Sequence, residues 1–292
     1  MLPSRNLRLI PGIAAALAVG LSAASAARSA SPARFLVVCS PGSPGNTLQA
    51  QPTLDAFAKA AAKSAGWPEG SLGAAYYETA EAGLARLALP DASLALVPPA
   101  FLARYGQELG LKPRMEAVLE SGNQEIWSLV VKKGSVSSPA GLQGWEVTGA
   151  PGFAHDFVRG ELLKGWGALP PDARITFTAR VLTALRRAAS GEKVAVLLDS
   201  DATAAVPGLP FAADLQVVAR SRPLPAALLC SVGKRIPGAE ADALVGGLGR
   251  LKEMEGGSEI LSSLRLSRFR PLALAVDDAS RASGAGTPAK KP

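Results

Sequence analysis

The chain has 292 residues, 48% hydrophobic and 19% charged, which suits one large domain or two ordinary ones and is too apolar for a disordered chain. A single His and two Cys leave no supply for a Cys/His zinc cluster, a His-rich catalytic centre or a disulfide-dense scaffold, so neither a metal nor a cofactor is expected. The formal charge of +7, from 31 basic and 24 acidic residues, is scattered in doublets such as Lys132 and Lys133 or Arg186 and Arg187. It lacks the one-faced, aromatic-interleaved pattern of nucleic-acid binders, so no nucleic-acid partner is expected.

Residues 1–26 read as a secretory signal peptide: Arg5 and Arg8, then an apolar run from Gly12 to Leu21, then Ala24-Ser25-Ala26. Cleavage is expected after Ala26. The run is about ten to twelve residues, against the roughly 20 that cross a bilayer, so stable membrane insertion is not expected. Cys39 lies inside the strand-like run RFLVVC and not at the signal's end, which argues against a lipid anchor. The expected product is a monomer exported to the periplasm.

Beyond the signal, short apolar runs alternate with amphipathic stretches. Strands are predicted at 35–38, 72–76, 94–97, 115–119, 126–131, 146–148, 175–177, 194–198, 215–219 and 227–232. Between the first two, Leu54, Phe57, Ala58 and Ala61 recur at helical spacing, with Lys59 and Lys63 turned away. Late in the chain Ala241, Leu244, Val245, Leu248 and Leu251 form a second helical stripe, closed by Gly256 and Gly257. Such alternation predicts parallel sheets covered by helices on both faces. Two breaks interrupt it, Gly134 to Gly144 (GSVSSPAGLQG) and Ser221 to Pro225 (SRPLP). They suit a chain that leaves a first domain, builds a second and returns. Residues 276–292 are aperiodic and breaker-rich and read as a disordered tail.

The stretch IWSLVVKKGSVSSPAGLQGW, Ile126 to Trp145, resembles the segment of phosphate/phosphonate-type periplasmic solute-binding proteins where the chain leaves one lobe for the other. In the same order, Glu81 to Pro99 resembles that family's first-lobe helix and strand before a ligand loop. Ser221 to Pro225 resembles the return crossover, and Gly238 to Phe269 the C-terminal helices. The resemblance implies a type 2 periplasmic-binding fold: two doubly wound α/β lobes joined by two crossover segments, with a cleft between them. Lobe 1 would comprise 34–133 and 222–270, and lobe 2 residues 143–220.

Four cleft loops follow from position after a strand. Ser40 to Thr47 offers the hydroxyls of Ser40, Ser43 and Thr47 and the amide of Asn46, or is a surface loop. Tyr76 to Glu81 carries Tyr77 and places Glu81 where relatives tend to carry an aromatic. Pro98 to Phe101 has few donors. Gly149 to Phe157 stands where phosphonate binders carry a Ser/Thr-rich anion turn, but Phe153, Ala154 and His155 replace the hydroxyls, which weakens an oxyanion site. Trp127 aligns with a cleft aromatic of relatives, although a Trp beginning a strand also suits a core. His155, beside Asp156, reads as a titrating cleft contact or as a capping or surface residue. Asp199, Ser200 and Asp201 either point into the cleft or cap a short helix, with Ser200 or Asp201 as cap. Cys39 and Cys230, both in strand-like segments of lobe 1, are expected as two buried thiols, since parallel sheet strands rarely place two cysteines at bridging geometry.

These features imply a protein that captures a small polar or anionic solute and passes it to an ATP-driven (ABC) permease, without catalysis. A non-transporting sensor or scaffold is the alternative. An enzyme on the same fold would have to work with carboxylates and hydroxyls such as Glu81, Asp156 and Asp199.

Overall fold

The computed structural model describes residues 33–121 and 124–272. The expected signal peptide and the C-terminal tail lie outside the described residues.

The first half of lobe 1 is built from β1 (Arg34–Cys39), α1 (Thr47–Ser64), β2 (Leu72–Tyr77), α2 (Ala80–Leu87), β3 (Ala92–Val97), α3 (Pro99–Leu109) and β4 (Leu111–Leu119). The chain then enters lobe 2 through β5 (Ser128–Lys132), β6 (Glu146–Gly149), α4 (His155–Phe157, continued by a π turn over Val158–Leu162), β7 (Arg174–Phe177), α5 (Val181–Ser190), β8 (Val194–Leu198), α6 (Ser200–Ala205) and β9 (Leu215–Arg220). It returns to lobe 1 with β10 (Ala227–Val232), α7 (Gly238–Gly249), α8 (Gly257–Ser263) and β11 (Leu266–Pro271).

Two sheets result, ordered β11-β4-β10-β3-β1-β2 and β7-β6-β8-β5-β9. Both are mixed and not parallel throughout. β1 pairs in parallel with β2 and β3, and β6 with β7 and β8. The strands reached by a crossing, β10 and β5, run antiparallel to their neighbours. A chain that arrives from the other lobe enters the sheet from the cleft end, which reverses its direction.

Helices cover both faces of each sheet, as the apolar runs require. In lobe 1, Leu36 and Leu94 face Leu54, Phe57 and Leu244 of α1 and α7, while Val37 and Val97 face Leu87 and Phe101 of α2 and α3. In lobe 2 the alternation of β5 sends Leu129 and Val131 to one core with Phe157 and Leu162, and Val130 to another with Leu185 of α5. Strands buried on both sides read as continuous hydrophobic runs, which is why β3 and β8 are buried at every position.

Three expectations need correction. Residues 128–132, assigned to lobe 1, form β5 of the second sheet, because the alternating Leu129, Val130 and Val131 find their partners in β8 and β9. The Gly134 to Gly144 segment is therefore a loop inside lobe 2, containing a 3-10 turn over Pro139–Leu142, and the first crossing lies upstream, ending at Trp127. The segment Leu266–Pro271 is an edge strand and not the tail of a helix, pairing antiparallel with β4. The last helical stripe also breaks at Gly249, where Leu251–Glu253 forms a 3-10 turn, and Gly256 and Gly257 open α8 instead of closing α7.

The two crossings touch each other. Glu125 and Leu224 form an antiparallel bridge, with Glu125 N–H donating to the Leu224 carbonyl at 2.8 Å and Leu224 N–H returning at 2.9 Å. Ser221 tightens it: its N–H donates to the Trp127 carbonyl at 2.8 Å, and its Oγ accepts from the Trp127 N–H at 2.9 Å. The two crossings thus run side by side as paired extended segments.

Cys39 and Cys230 are both free and buried. β3 lies between β1 and β10, so the cysteines sit two strand spacings apart, about 9–10 Å, beyond the roughly 7 Å that a disulfide spans. Burial pushes each thiol up to about 12. Gly83 of α2 meets Cys39 directly, leaving no room for a Cβ, so helix and strand approach more closely than a larger residue permits.

Candidate functional site

A cavity of about 160 Å³ lies between the lobes at the C-terminal ends of β1, β3, β6 and β8. Lobe 1 supplies the loop from Ser40 to Pro44 and the start of α3 at Pro98, Pro99 and Ala100. Lobe 2 supplies Ala150, Pro151, Phe153, Phe157, Val181 and the β8 end with Asp199 and Ala202. The crossings add Glu125 and Trp127, and Pro225 and Ala226. Sheets of this kind expose loops and helix starts at the carboxyl ends of their strands, which is where ligands of open α/β sheets bind.

Four of the ten nominated residues meet there: Ser40, Ser43, Trp127 and Asp199. Ser40 and Ser43 bond to each other through their hydroxyls at 2.7 Å. The loop is propped from below by the Tyr76 phenol, which donates toward the Ser40 and Ser43 carbonyls at 3.4 and 3.3 Å. Burial, with Glu78 and Cys39 adding, pushes that phenol up to about 12. Tyr76 and not Tyr77 supports the site, because successive strand residues face opposite sides. Trp127 reconciles its two alternatives: the half-buried ring lines the cavity and packs against the lobe 2 core. Asp199 lines the cavity and caps α6 as well, its Oδ1 accepting from the Ala202 N–H at 2.7 Å.

The other six nominations lie elsewhere. Asn46 is the exposed N-cap of α1, accepting from Gln49 N–H at 3.0 Å, and borders a separate hollow with Arg265. Thr47 is tied down, its Oγ1 donating to the Tyr76 carbonyl at 2.8 Å. Tyr77 packs in the lobe 1 core on the α2 side, where burial raises its phenol. Glu81 stands exposed in the first turn of α2, where a carboxylate suits the helix dipole. His155 and Asp156 are exposed and line an outer hollow with Arg104, because the short turn of α4 sends Phe157 inward and its neighbours out.

Glu125 is the site residue that sequence reasoning missed. Its Oε1 accepts from the Ser200 N–H at 2.6 Å, tying the first crossing to the start of α6. A lone acid before a strand resembles any solvated residue; only the fold carries it to the cavity.

Aromatic rings bridge the lobes beside the cavity. Phe101 and Tyr105 of α3 pack with centroids 4.9 Å apart, Tyr105 stacks on Phe153 of lobe 2 at 6.1 Å and 10°, and Phe153 meets Phe177 edge-on at 6.2 Å. At the mouth Gly42, with φ +84°, would place a Cβ 3.0 Å from Ala150 and 3.1 Å from the Phe177 ring. Glycine there satisfies both a left-handed turn and a close approach of the lobes.

A scan against protein-family models and a search of curated protein sequences each return no match. Solved structures do resemble the chain. A binding-protein component of an ABC phosphonate transporter from Pseudomonas aeruginosa is 13% identical, with 83% of this chain and 82% of that one covered and a TM-score of 0.58. A Xanthomonas citri protein solved with bound ATP is 15% identical, covering 85% and 93%, at 0.61. The Prochlorococcus marinus PhnD1 protein, solved with methylphosphonate, is 15% identical, covering 85% and 96%, at 0.53. The fold these share with the chain is the type 2 periplasmic-binding fold, α/β with two mixed sheets. Among the described residues no helix is long and apolar enough to cross a membrane.

Proposed function

We propose that the chain is an exported solute-binding protein that holds a small solute between its lobes and delivers it to an ABC importer. The observation that carries this is the composition of the cavity wall, which draws on both lobes and both crossings. A solute touching all four stabilises the closed arrangement over the open one, and the bridged crossings provide the bend. Similar structures include a component of an ABC phosphonate transporter and proteins solved with methylphosphonate and with ATP. Export rests on the signal-like residues 1–26, and the periplasm is the expected location. The reading takes the protein as a monomer that binds its solute without catalysis; in the cavity wall the Ser40 and Ser43 hydroxyls bond each other, and Glu125 and Asp199 accept from backbone amides.

A thermal-shift screen over phosphate, phosphonates, sulfonates, amines, carboxylates and polyols tests the reading. A solute at about 100 times its Kd adds roughly 2.7 kcal/mol of stability. A clear rise in Tm with at least one class, accompanied by a change in Trp127 fluorescence, is expected. A melting curve that no class moves favours the sensor or scaffold alternative.

A further inference from the structure

We propose, resting on the cavity being a solute site, that its cargo is a compact organic cation, an ammonium compound, and not an oxyanion. Among the described residues, the charged side chains that line the cavity are Glu125 and Asp199, and no Lys, Arg or His does. Two arginines of flanking segments are engaged elsewhere. Arg222 pairs with Glu161 at 2.8 Å, and exposed Arg180 lines a different hollow with Glu146 and Arg187.

Several of the backbone donors that would hold an anion at helix starts are also missing or taken. Pro98 and Pro99 open α3 without N–H groups, and the next two amides available beyond Ala100, those of Phe101 and Leu102, return to the Pro98 carbonyl. At α6 the Ser200 amide donates to Glu125 and the Ala202 amide to Asp199, so the protein's own carboxylates occupy the positions an anion needs. On the lobe 2 wall Pro151 has no N–H, and the Ala154 amide bonds back to the Pro151 carbonyl. An oxyanion in this space would give up its water shell for two like charges and few donors.

A cation meets the opposite conditions. Each carboxylate commits one oxygen to a backbone amide, an arrangement that fixes its orientation, and each belongs to a residue that lines the cavity. Trp127, Phe153 and Phe157 add aromatic surface, whose negative ring faces attract a desolvated cation. The volume of about 160 Å³ falls below the roughly 300–1,000 Å³ of common small-molecule pockets, which calls for a compact solute. A metal ion fits less well: among the described residues no group of three or more His, Cys, Asp or Glu gathers, whereas calcium takes about six to eight oxygens.

Titration calorimetry on the purified protein tests this with ethanolamine, choline and tetramethylammonium set against phosphate, methylphosphonate and acetate, with glycerol as a neutral probe. Glu125→Gln and Asp199→Asn remove charge while each amide oxygen can still accept from Ser200 or Ala202, so the local fold is kept. At least one ammonium probe is expected to bind, and each variant to weaken it by about tenfold or more. Binding of an anion or of glycerol without any ammonium probe overturns the cation proposal and leaves solute capture standing. Ammonium binding indifferent to both substitutions overturns it as well. If no probe of either sign binds, and the broader thermal-shift screen is also silent, solute capture itself fails.

Discussion

Replacing Tyr105 with Leu tests whether the aromatic ladder holds the lobes together. Tyr105 belongs to lobe 1 and stacks on Phe153 of lobe 2 at 6.1 Å, while its other ring partner, Phe101, lies in its own helix. Leu keeps an apolar side chain against Phe101 but ends the ring pair across the cleft. Such a pair contributes about 0.5–1.5 kcal/mol beyond area burial. At 1.4 kcal/mol per decade, its loss moves the open–closed equilibrium toward open by roughly two- to twelvefold. Solute affinity falls by no more than that factor, because binding now has to close a less populated state. Distances between one spin label on each lobe, measured without solute, read the shift directly, and affinity reads its consequence. Unchanged distances and affinity beside a lowered Tm would refute the reasoning and make Tyr105 a packing residue of lobe 1 alone.

Gly152→Ala should be strongly destabilising, by about 1–3 kcal/mol or more in chemical denaturation, because the new Cβ would fall on the Thr176 carbonyl of β7; a variant as stable as the parent contradicts the packing described. Cys39 and Cys230 should resist a thiol reagent in the folded protein and react on unfolding, since burial pushes both thiols up to about 12; intact mass without reductant should show no loss of two hydrogens. At Glu146, burial raises the carboxyl, but bonds from Thr176 Oγ1 at 2.7 Å and from Arg187 at 3.0 Å outweigh it and hold the carboxyl below its ordinary value. A depressed carboxyl contributes stability above its unfolded pKa and loses it as pH falls, so the stability gap between the parent and Glu146→Gln should narrow below about pH 4.5. A gap of the same size at neutral pH and about pH 3 would show that the ion pair is not its source.

The strands buried on both faces were plain in the sequence, because a run such as VAVLL has no polar side to hide. β11 was not, for LSRFRP alternates its apolar residues with arginines and ends in Pro, which an edge strand tolerates and a helix end imitates. The first crossing was misplaced for a related reason. The Ser/Pro/Gly run at 134–144 is louder than the true crossing, whose character comes from a bridge between Glu125 and Leu224, 99 positions apart in sequence. Ser40, Ser43 and Asp199 could be nominated because position after a strand carries a residue to the cleft end, whereas Trp127 rested on the family resemblance. His155 and Asp156 followed the same rule and failed, since α4 is too short to continue the direction of β6. Glu125 left no local signal at all. Its role depends on an amide of α6 that only the folded chain brings within 2.6 Å.

Amide hydrogen exchange with and without a bound solute tests the central claim most directly. Capture between the lobes predicts added protection in three places together: the loop at 40–44, the crossing at 125–127 and the start of α6 at 199–202. Protection confined to one lobe, or absent from all three segments while the solute is bound, would contradict it.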